Sequence, residues 1–307
     1  MKHLLKLLDC TKEDITSILD LADQLKYERQ HNIPHRHLEG KSLGMIFQKS
    51  STRTRVSFEA GMYQLGGQAL FLTDRDLQIG RGEPAQDTAR VLSRYLDGLM
   101  IRTYDQAEAE MLAQYSAVPV INGLTNFAHP CQVLADLMTV REHFAQLEGL
   151  KMCFVGDGFN MCNSLIVGCL KAGMDVSVAT PEGYEPHPDV LAFAEAQKAQ
   201  GASFRLLHDI RAAADNADVL FTDAWVGMGQ EDQAEQRRRD FAGFTVDHEL
   251  LACCKEGVMV QHCLPAHRGE EITEAVFEEH ADEIFEESEN RLHAQKAVMV
   301  TLMGHNS

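Results

Sequence analysis

Hydroxyl and guanidinium side chains are concentrated at residues 50–55, where the sequence reads SSTRTR. The apolar run at 42–47 predicts a buried strand before this segment, and the pattern at 53–65 predicts a helix after it. At a helix N-terminus, unpaired backbone N–H groups and the positive end of the helix dipole attract anions. A helix cap would use only one of the hydroxyls. We therefore predict that this segment binds a phosphate group.

A glycine-containing turn, GDGFNM at 156–161, follows another predicted strand. It begins like a dinucleotide-binding fingerprint, but Met161 occupies the third glycine position, which argues against NAD. Ligands bind at the carboxyl ends of parallel strands, so Asn160 is a candidate ligand contact.

Two more predicted strands end in the segments TDAWVGMG at 222–229 and HCLP at 262–265. Asp223 suits an amine ligand, or it could be a turn residue or a helix cap. Cys263 could be an inert buried thiol or a thiol that contacts a ligand, and its position does not decide between them.

Histidines offer less specific signals. His129 precedes Pro130 at the start of a predicted helix, where a structural and a functional role are both open. His31, His35 and His37 match no standard metal-ligand spacing, so we predict a solvated loop there and no metal site.

The elements that position these residues alternate between strand and helix. Strand-like runs lie at 99–101, 118–121, 152–155, 176–179, 219–222 and 258–260. The alternation predicts an α/β fold with parallel sheets covered on both faces. A helix predicted at 129–147 is followed by a new strand, so we place the domain boundary between 148 and 149. Residues 1–150 carry 16 basic and 19 acidic side chains, against 12 and 27 in the remainder.

Composition excludes several classes of protein. The 307 residues are 45% hydrophobic and 24% charged, with a net charge of −18. This acidic balance argues against nucleic-acid binding and membrane-surface binding. No apolar run is long enough to span a bilayer, and the N-terminus does not resemble a signal peptide, so we expect a cytoplasmic protein. Eight scattered cysteines without a CxxC motif indicate neither a zinc ribbon nor a disulfide scaffold.

Five segments together resemble one known family. SSTRTR, HPCQ at 129–132, DGFN at 157–160, TDAWVGMG and HCLP occur in the order typical of aspartate/ornithine carbamoyltransferases. The last three resemble the ornithine branch. The acetylornithine branch resembles this chain less at the last motif, which there reads like KCLP, with lysine in the place of His262. The resemblance extends from about residue 5 to residue 305.

This resemblance implies transfer of a carbamoyl group from carbamoyl phosphate to the δ-amine of L-ornithine, a step of arginine biosynthesis that gives citrulline and phosphate. It implies two doubly wound parallel-sheet domains, one for carbamoyl phosphate at 1–148 and one for ornithine at 149–285. A C-terminal helix at 286–307 is expected to return to the first domain. No cofactor is implied, and the expected assembly is a homotrimer or a multiple of trimers.

The site residues implied by the resemblance form two sets. The carbamoyl phosphate set is Ser51, Thr52, Arg53, Thr54, Gln78, Arg102, His129, Gln132 and Arg291. The ornithine set is Asn160, Asp223, Gly227, Met228, Cys263 and Leu264. Catalytic roles are implied for Arg102, His129, Asp223 and Cys263. Gln78, in the polar loop at 73–84, is expected to reach the site of a neighbouring subunit.

Two positions depart from the family pattern. Phe159 stands where many relatives have Asn, and Gly227 stands where the family usually has a serine that contacts ornithine. A carbamoyltransferase for another amine or amino acid, such as putrescine or N-acetylornithine, is the nearest alternative. A non-catalytic binding or regulatory relative is the alternative from another class. A covalent intermediate on Cys263 is the less favoured mechanism.

Overall fold

Two parallel β-sheets form the framework of the structure, a computed structural model that describes residues 1–73, 77, 82–227 and 229–304. The first sheet has the order β2-β1-β3-β4 and the second β7-β6-β5-β8-β9. The strands are β1 Ser42–Phe47, β2 Gln68–Thr73, β3 Gly98–Arg102, β4 Val120–Leu124, β5 Lys151–Val155, β6 Asp175–Ala179, β7 Phe204–Leu207, β8 Val219–Thr222 and β9 Met259–His262. Both orders reverse direction in the way that defines a doubly wound sheet, so the predicted fold class is confirmed.

Helices connect the strands. They are α1 Lys12–Gln30, α2 Thr52–Gln64, α3 Ala85–Leu92, α4 Gln106–Tyr115, α5 Pro130–Phe144, α6 Asn160–Lys171, α7 Pro188–Lys198, α8 Ile210–Ala214, α9 Ala234–Asp240, α10 His248–Leu251, α11 Glu274–Glu279 and α12 Ala281–Met303. Central strands such as β1 and β8 are buried along almost their whole length. This burial explains why they appear in the sequence as continuous apolar runs.

The chain divides into two compact units. One contains Met1–Ala135 together with the C-terminal segment that begins at Arg291, and the other contains Asp136–Asn290. The C-terminal segment contacts the first unit directly, because Ser57 Oγ donates to Gln295 Oε1 at 2.5 Å. The expected return of the C-terminal helix to the first domain is therefore confirmed.

Several predicted boundaries shift by a few residues. The helix expected at 129–147 is Pro130–Phe144, and Ala145 after it adopts a left-handed φ of 61°. The last helix begins at Ala281 rather than 286. Among the described residues, no helix is both long and apolar enough to cross a bilayer.

The doubly wound order directs attention to one edge of each sheet. In each unit the order reverses beside the first strand, between β1 and β3 and between β5 and β8. Ligands of such sheets bind outside the carboxyl ends of the strands at this reversal. The segments SSTRTR and GDGFNM lie immediately after β1 and β5, at these two places.

Candidate active site

The predicted phosphate turn is the N-terminus of α2. Ser51 is the N-cap, and its Oγ accepts a hydrogen bond from the Thr54 backbone N–H at 3.2 Å. The first turn of this helix contains no acidic residue, so no side-chain charge there offsets the helix dipole. Capping uses Ser51, and the helix geometry leaves Thr52 exposed and Arg53 half-buried at the same end. The turn thus keeps donors beyond those that a cap requires.

A second arginine reaches this turn from the C-terminal helix. Arg291, which is 3% exposed, donates from Nη2 to Thr54 Oγ1 at 3.0 Å. Thr54 is fully buried and also lies 3.1 Å from the Ser51 hydroxyl. The contact explains how a residue 237 positions away in sequence joins the N-terminus of α2.

His129 lies buried among three arginines. Burial, followed by the charges of Arg291, Arg102 and Arg53, holds the pKa of His129 well below its usual value of 6.5. The ring is therefore neutral at neutral pH and can donate one N–H without carrying a charge. Three cations near one neutral donor suit a ligand with a concentrated negative charge beside a polar carbonyl. This surrounding favours the functional role for His129 over the structural one.

Arg102 and Gln132 complete this cluster. Arg102 is the last residue of β3, where the register with β4 shifts between Ile101 and Arg102. Gln132 is fully buried in the first turn of α5, three residues after His129. Every residue of the carbamoyl phosphate set except Gln78 is therefore placed in the first unit. Gln78 lies outside the described residues.

In the second unit, Asp223 and Cys263 are direct neighbours. Cys263 Sγ donates to Asp223 Oδ1 at 3.1 Å, and the same oxygen accepts the backbone N–H of Ala224 at 2.8 Å. Burial, then the charges of Asp223 and Glu287, raises the pKa of the Cys263 thiol well above its usual value. The thiol is therefore protonated at neutral pH, and a protonated thiol is a poor nucleophile.

The backbone beside Cys263 is held in an uncommon conformation. Leu264 has a φ of 59°, a region that residues with a Cβ rarely adopt. Its N–H donates to His262 Nδ1 at 2.9 Å, and His262 Nε2 lies 3.1 Å from Glu271 Oε1. Local sequence gives no signal for this arrangement, because Glu271 reaches His262 from a later loop.

Asp223, His262 and Cys263 are the one group of three potential metal ligands found in the described part of the chain. Both ring nitrogens of His262 already have hydrogen-bond partners, the Leu264 N–H and the Glu271 carboxylate. The group is therefore better explained as a hydrogen-bonded network than as a metal site. His31 and His35 each contact a nearby backbone carbonyl, and His35 is buried, so the predicted solvated loop is wrong for this residue.

The turn at 156–160 positions Asn160 as the first residue of α6, where it is 7% exposed. Its Oδ1 accepts the backbone N–H of Met161 at 2.8 Å. Gly158 is required here because a Cβ would lie 2.3 Å from Tyr184 O. This close approach, rather than a dinucleotide, accounts for the second glycine of the turn.

An ion pair that sequence reasoning missed joins this turn to the segment after β8. Arg237 is 3% exposed and hydrogen-bonds through Nη2 to Asp157 Oδ2 and through Nε to Trp225 O, the latter at 2.6 Å. Burial raises the pKa of Asp157 to about 6, although Arg237 acts in the opposite direction. Gln230 also contacts Asp157, at 3.4 Å. The signal in the sequence was only a run of three arginines, which is typical of exposed helices.

Gly227 lies in this segment without a left-handed φ. Its N–H donates to Gln230 Oε1 at 2.8 Å, and an added Cβ would lie 3.0 Å from that oxygen. The second unit thus contains all of the ornithine set except Met228, which lies outside the described residues.

Comparison with known proteins matches the chain in two parts. Residues 2–142 match the family model described as aspartate/ornithine carbamoyltransferase, carbamoyl-P binding domain. Residues 148–302 match the model described as the Asp/Orn binding domain. The chain belongs to the aspartate/ornithine carbamoyltransferase family.

Relatives named ornithine carbamoyltransferase match almost the whole chain. Ornithine carbamoyltransferase from Thermococcus kodakarensis is 53% identical over 304 residues, which is 99% of this chain and 96% of that protein. The anabolic enzyme from Pyrococcus furiosus shows the same identity and coverage.

Solved structures show the same likeness. The P. furiosus ornithine carbamoyltransferase has a TM-score of 0.95 at 52% identity, with 100% of this chain and 98% of that one covered. The anabolic enzyme from Campylobacter jejuni has a TM-score of 0.93 at 42% identity, with 98% and 99% covered.

Proposed function

We propose that this protein transfers the carbamoyl group of carbamoyl phosphate to the δ-amine of L-ornithine and releases L-citrulline and phosphate. The observation that carries the proposal is the cluster of Arg53, Arg102 and Arg291 around a buried, neutral His129 at the N-terminus of α2. The choice of ornithine as acceptor rests on the HCLP segment and on the relatives that cover the whole chain.

In this proposal the first unit binds carbamoyl phosphate. The phosphate receives donors from the turn at 51–54 and from the arginines, and the helix dipole adds to the attraction. The carbamoyl end faces His129 and Gln132. As the amine attacks, negative charge develops on the carbonyl oxygen, and neutral His129 together with Arg102 stabilises it by donating hydrogen bonds.

The second unit binds ornithine. Asp223 accepts from the amine, and Cys263 fixes Asp223 through its S–H. The family resemblance assigns Asn160, Gly227, Met228 and Leu264 to the rest of the amino acid. Alkyl ammonium groups lose a proton only near pH ~10, so the neutral amine is a minor species that Asp223 orients.

The chemistry requires no cofactor. The amine nitrogen forms a bond to the carbamoyl carbon, the carbon–oxygen bond to phosphate breaks, and the electron pair leaves with the phosphate. The phosphate then takes the amine proton. The raised pKa of Cys263 makes the alternative of a carbamoylated cysteine less favourable, because that pathway needs a thiolate.

We also propose a homotrimer, or a multiple of trimers, in which Gln78 completes the site of a neighbour. Within the described residues β2 pairs with β1 alone and is an outer strand of its sheet. Val56 and Tyr63 on α2 and Leu70 on β2 are exposed large apolar side chains in this region. Clustered exposed apolar residues beside an open strand edge favour a subunit interface.

A panel of acceptors tests the proposal against its alternatives. Purified protein is incubated with carbamoyl phosphate and either ornithine, putrescine, aspartate or N-acetylornithine, and the carbamoylated product is measured. We expect ornithine to give the highest kcat/KM. Preference for another acceptor would show that Gly227 marks a different specificity, and no product with any acceptor would favour a non-catalytic relative.

A further inference from the structure

Three side chains form a triangle of polar contacts beyond the ends of two neighbouring strands. Gln48 Nε2 donates to Glu108 Oε1 at 2.6 Å. The Thr103 hydroxyl has one proton to donate and two acceptors within reach, Gln48 Oε1 at 2.6 Å and Glu108 Oε2. Thr103 is fully buried, and the other two residues are half-buried. None of the three belongs to the sets of substrate-binding residues described above.

The triangle joins the segments that carry the anion-binding groups. Gln48 directly follows β1 and stands three positions before Ser51, the cap of the phosphate turn. Thr103 directly follows Arg102 at the end of β3. The two strands are adjacent, with Phe47 opposite Arg102, and the Gln48 N–H donates to Arg102 O at 3.0 Å. Gln48 and Thr103 therefore continue the pairing of the strands past the sheet, through side chains.

Glu108 supplies the third corner from the first turn of α4. Both of its carboxylate oxygens are used, one by each strand extension. A negative charge near a site for anions repels the ligand. The charge of Glu108 therefore does not explain why a glutamate stands at this position. The hydrogen bonds of Glu108 do explain it, since they fix two backbone segments relative to each other before any ligand binds.

We propose that Glu108 is a positioning residue for carbamoyl phosphate. Acting through Gln48 and Thr103, it holds the phosphate turn and Arg102 in one geometry, so that binding does not have to order them. The inference rests on the proposed function, because it assigns Glu108 to the anion-binding side of that reaction. It extends the candidate site to a helix that carries none of the contact residues.

Alanine substitution at Glu108 tests the proposal against a neighbour on the same helix. Glu108→Ala should raise the KM for carbamoyl phosphate about tenfold or more, with the KM for ornithine changed less than about twofold. Glu110→Ala is the matched control, because Glu110 pairs with Lys6 at 2.5 Å and not with the strand ends. Thermal denaturation of both variants shows whether a loss of stability accompanies any change in KM.

An exchange of the two side chains gives a second, independent test. Gln48→Glu places two carboxylates in contact and should raise the KM for carbamoyl phosphate as strongly as Glu108→Ala. Glu108→Gln keeps an acceptor and should stay within about threefold of the wild type. The double variant Gln48→Glu with Glu108→Gln restores one amide and one carboxylate, and should recover most of the affinity that Gln48→Glu loses.

The outcomes separate this inference from the proposed function. A wild-type protein that forms no carbamoylated product contradicts the proposed function itself. An active wild type in which Glu108→Ala behaves like Glu110→Ala overturns only the positioning role. If Glu108→Ala does not fold, the exchange decides, and a double variant no better than Gln48→Glu alone overturns the proposal.

Discussion

At the scale of single residues, Arg53 is the clearest test of the phosphate turn. Its guanidinium lies in the first turn of α2, close enough to His129 to lower the pKa of that ring. Arg53→Ala removes charge-assisted hydrogen bonds to the phosphate, so carbamoyl phosphate affinity should fall about tenfold to a hundredfold. Titration calorimetry with carbamoyl phosphate measures the loss.

Arg55 on the same helix is the matched control for this substitution. It pairs with Glu59 at 3.0 Å and stacks on the Phe71 ring, away from the turn. Arg55→Ala should therefore bind carbamoyl phosphate as the wild type does. Near-normal affinity in a folded Arg53→Ala variant would contradict the assignment of the turn.

A second residue-scale prediction concerns acid sensitivity. Burial, then the charges of Lys296 and Lys26, lowers the pKa of His293 from 6.5 to about 3. Between these values the unfolded chain binds a proton that the folded chain does not, so this residue makes stability fall as pH drops below 6.5. At pH 5 the loss from His293 is about 2 kcal/mol.

Urea denaturation of the wild type and His293→Gln at pH 7 and pH 5 measures this effect. The variant should lose about 2 kcal/mol less than the wild type between the two pH values. An equal decline in both proteins would show that His293 is not buried as a neutral ring.

Sequence reasoning at this scale can propose site residues where the chemistry is local. The hydroxyls and arginines of the phosphate turn stand within one helical turn, and His129 and Gln132 stand within another. Arg237 and Glu108 could not be found in this way, because each has one partner far away in sequence, Asp157 for Arg237 and Gln48 for Glu108. Their contacts are set by tertiary packing, which a single sequence does not display.

At the scale of elements, the segment after β8 is the most informative. Arg237 and Gln230 connect it to Asp157, the residue that follows Gly156 after β5. Gly227 has no left-handed φ, and the atoms nearest to an added Cβ are the flexible end of Gln230 and Phe159 Cδ1 at 3.5 Å.

Gly227→Ser should therefore fold normally. If the added hydroxyl contacts ornithine, as the family pattern implies, affinity should improve by up to about tenfold, the equivalent of one neutral hydrogen bond. Measuring the KM for ornithine decides the matter. Weaker ornithine binding together with better use of another amine would instead indicate a different natural acceptor.

The elements themselves were predictable to different degrees. Buried central strands were recognised because nearly every residue in them is apolar. The short outer strand β7 is not predictable in this way, since only Phe204 among its four residues is buried. The start of α12 was also missed, because its first turns are acidic and carry few apolar residues. The left-handed φ of Ala145 is not predictable from the sequence, because the residue is not a glycine.

At the scale of the whole molecule, the proposed trimer predicts active sites that are shared between subunits. In a cyclic trimer with heterologous interfaces, each subunit lends one loop and receives another. Arg53→Ala damages the turn of its own subunit, whereas Gln78→Ala damages the loop lent to a neighbour. Dissociating and reassembling the two inactive variants together should restore part of the activity, because some interfaces then combine an intact turn with an intact loop.

This mixing experiment requires two controls. Each variant alone must be severely impaired, and mass spectrometry must confirm that mixed trimers form. If mixed trimers form and no activity returns, Gln78 does not act across the interface.

The central claim is carbamoyl transfer to ornithine, and the balance of its products tests that claim most directly. Purified protein is given carbamoyl phosphate labelled in the carbamoyl carbon, with and without ornithine, and citrulline and phosphate are measured together over time. The account predicts one labelled citrulline for each phosphate released, and release no faster than the spontaneous rate when ornithine is absent. Phosphate release without citrulline, or equal release without ornithine, would contradict it.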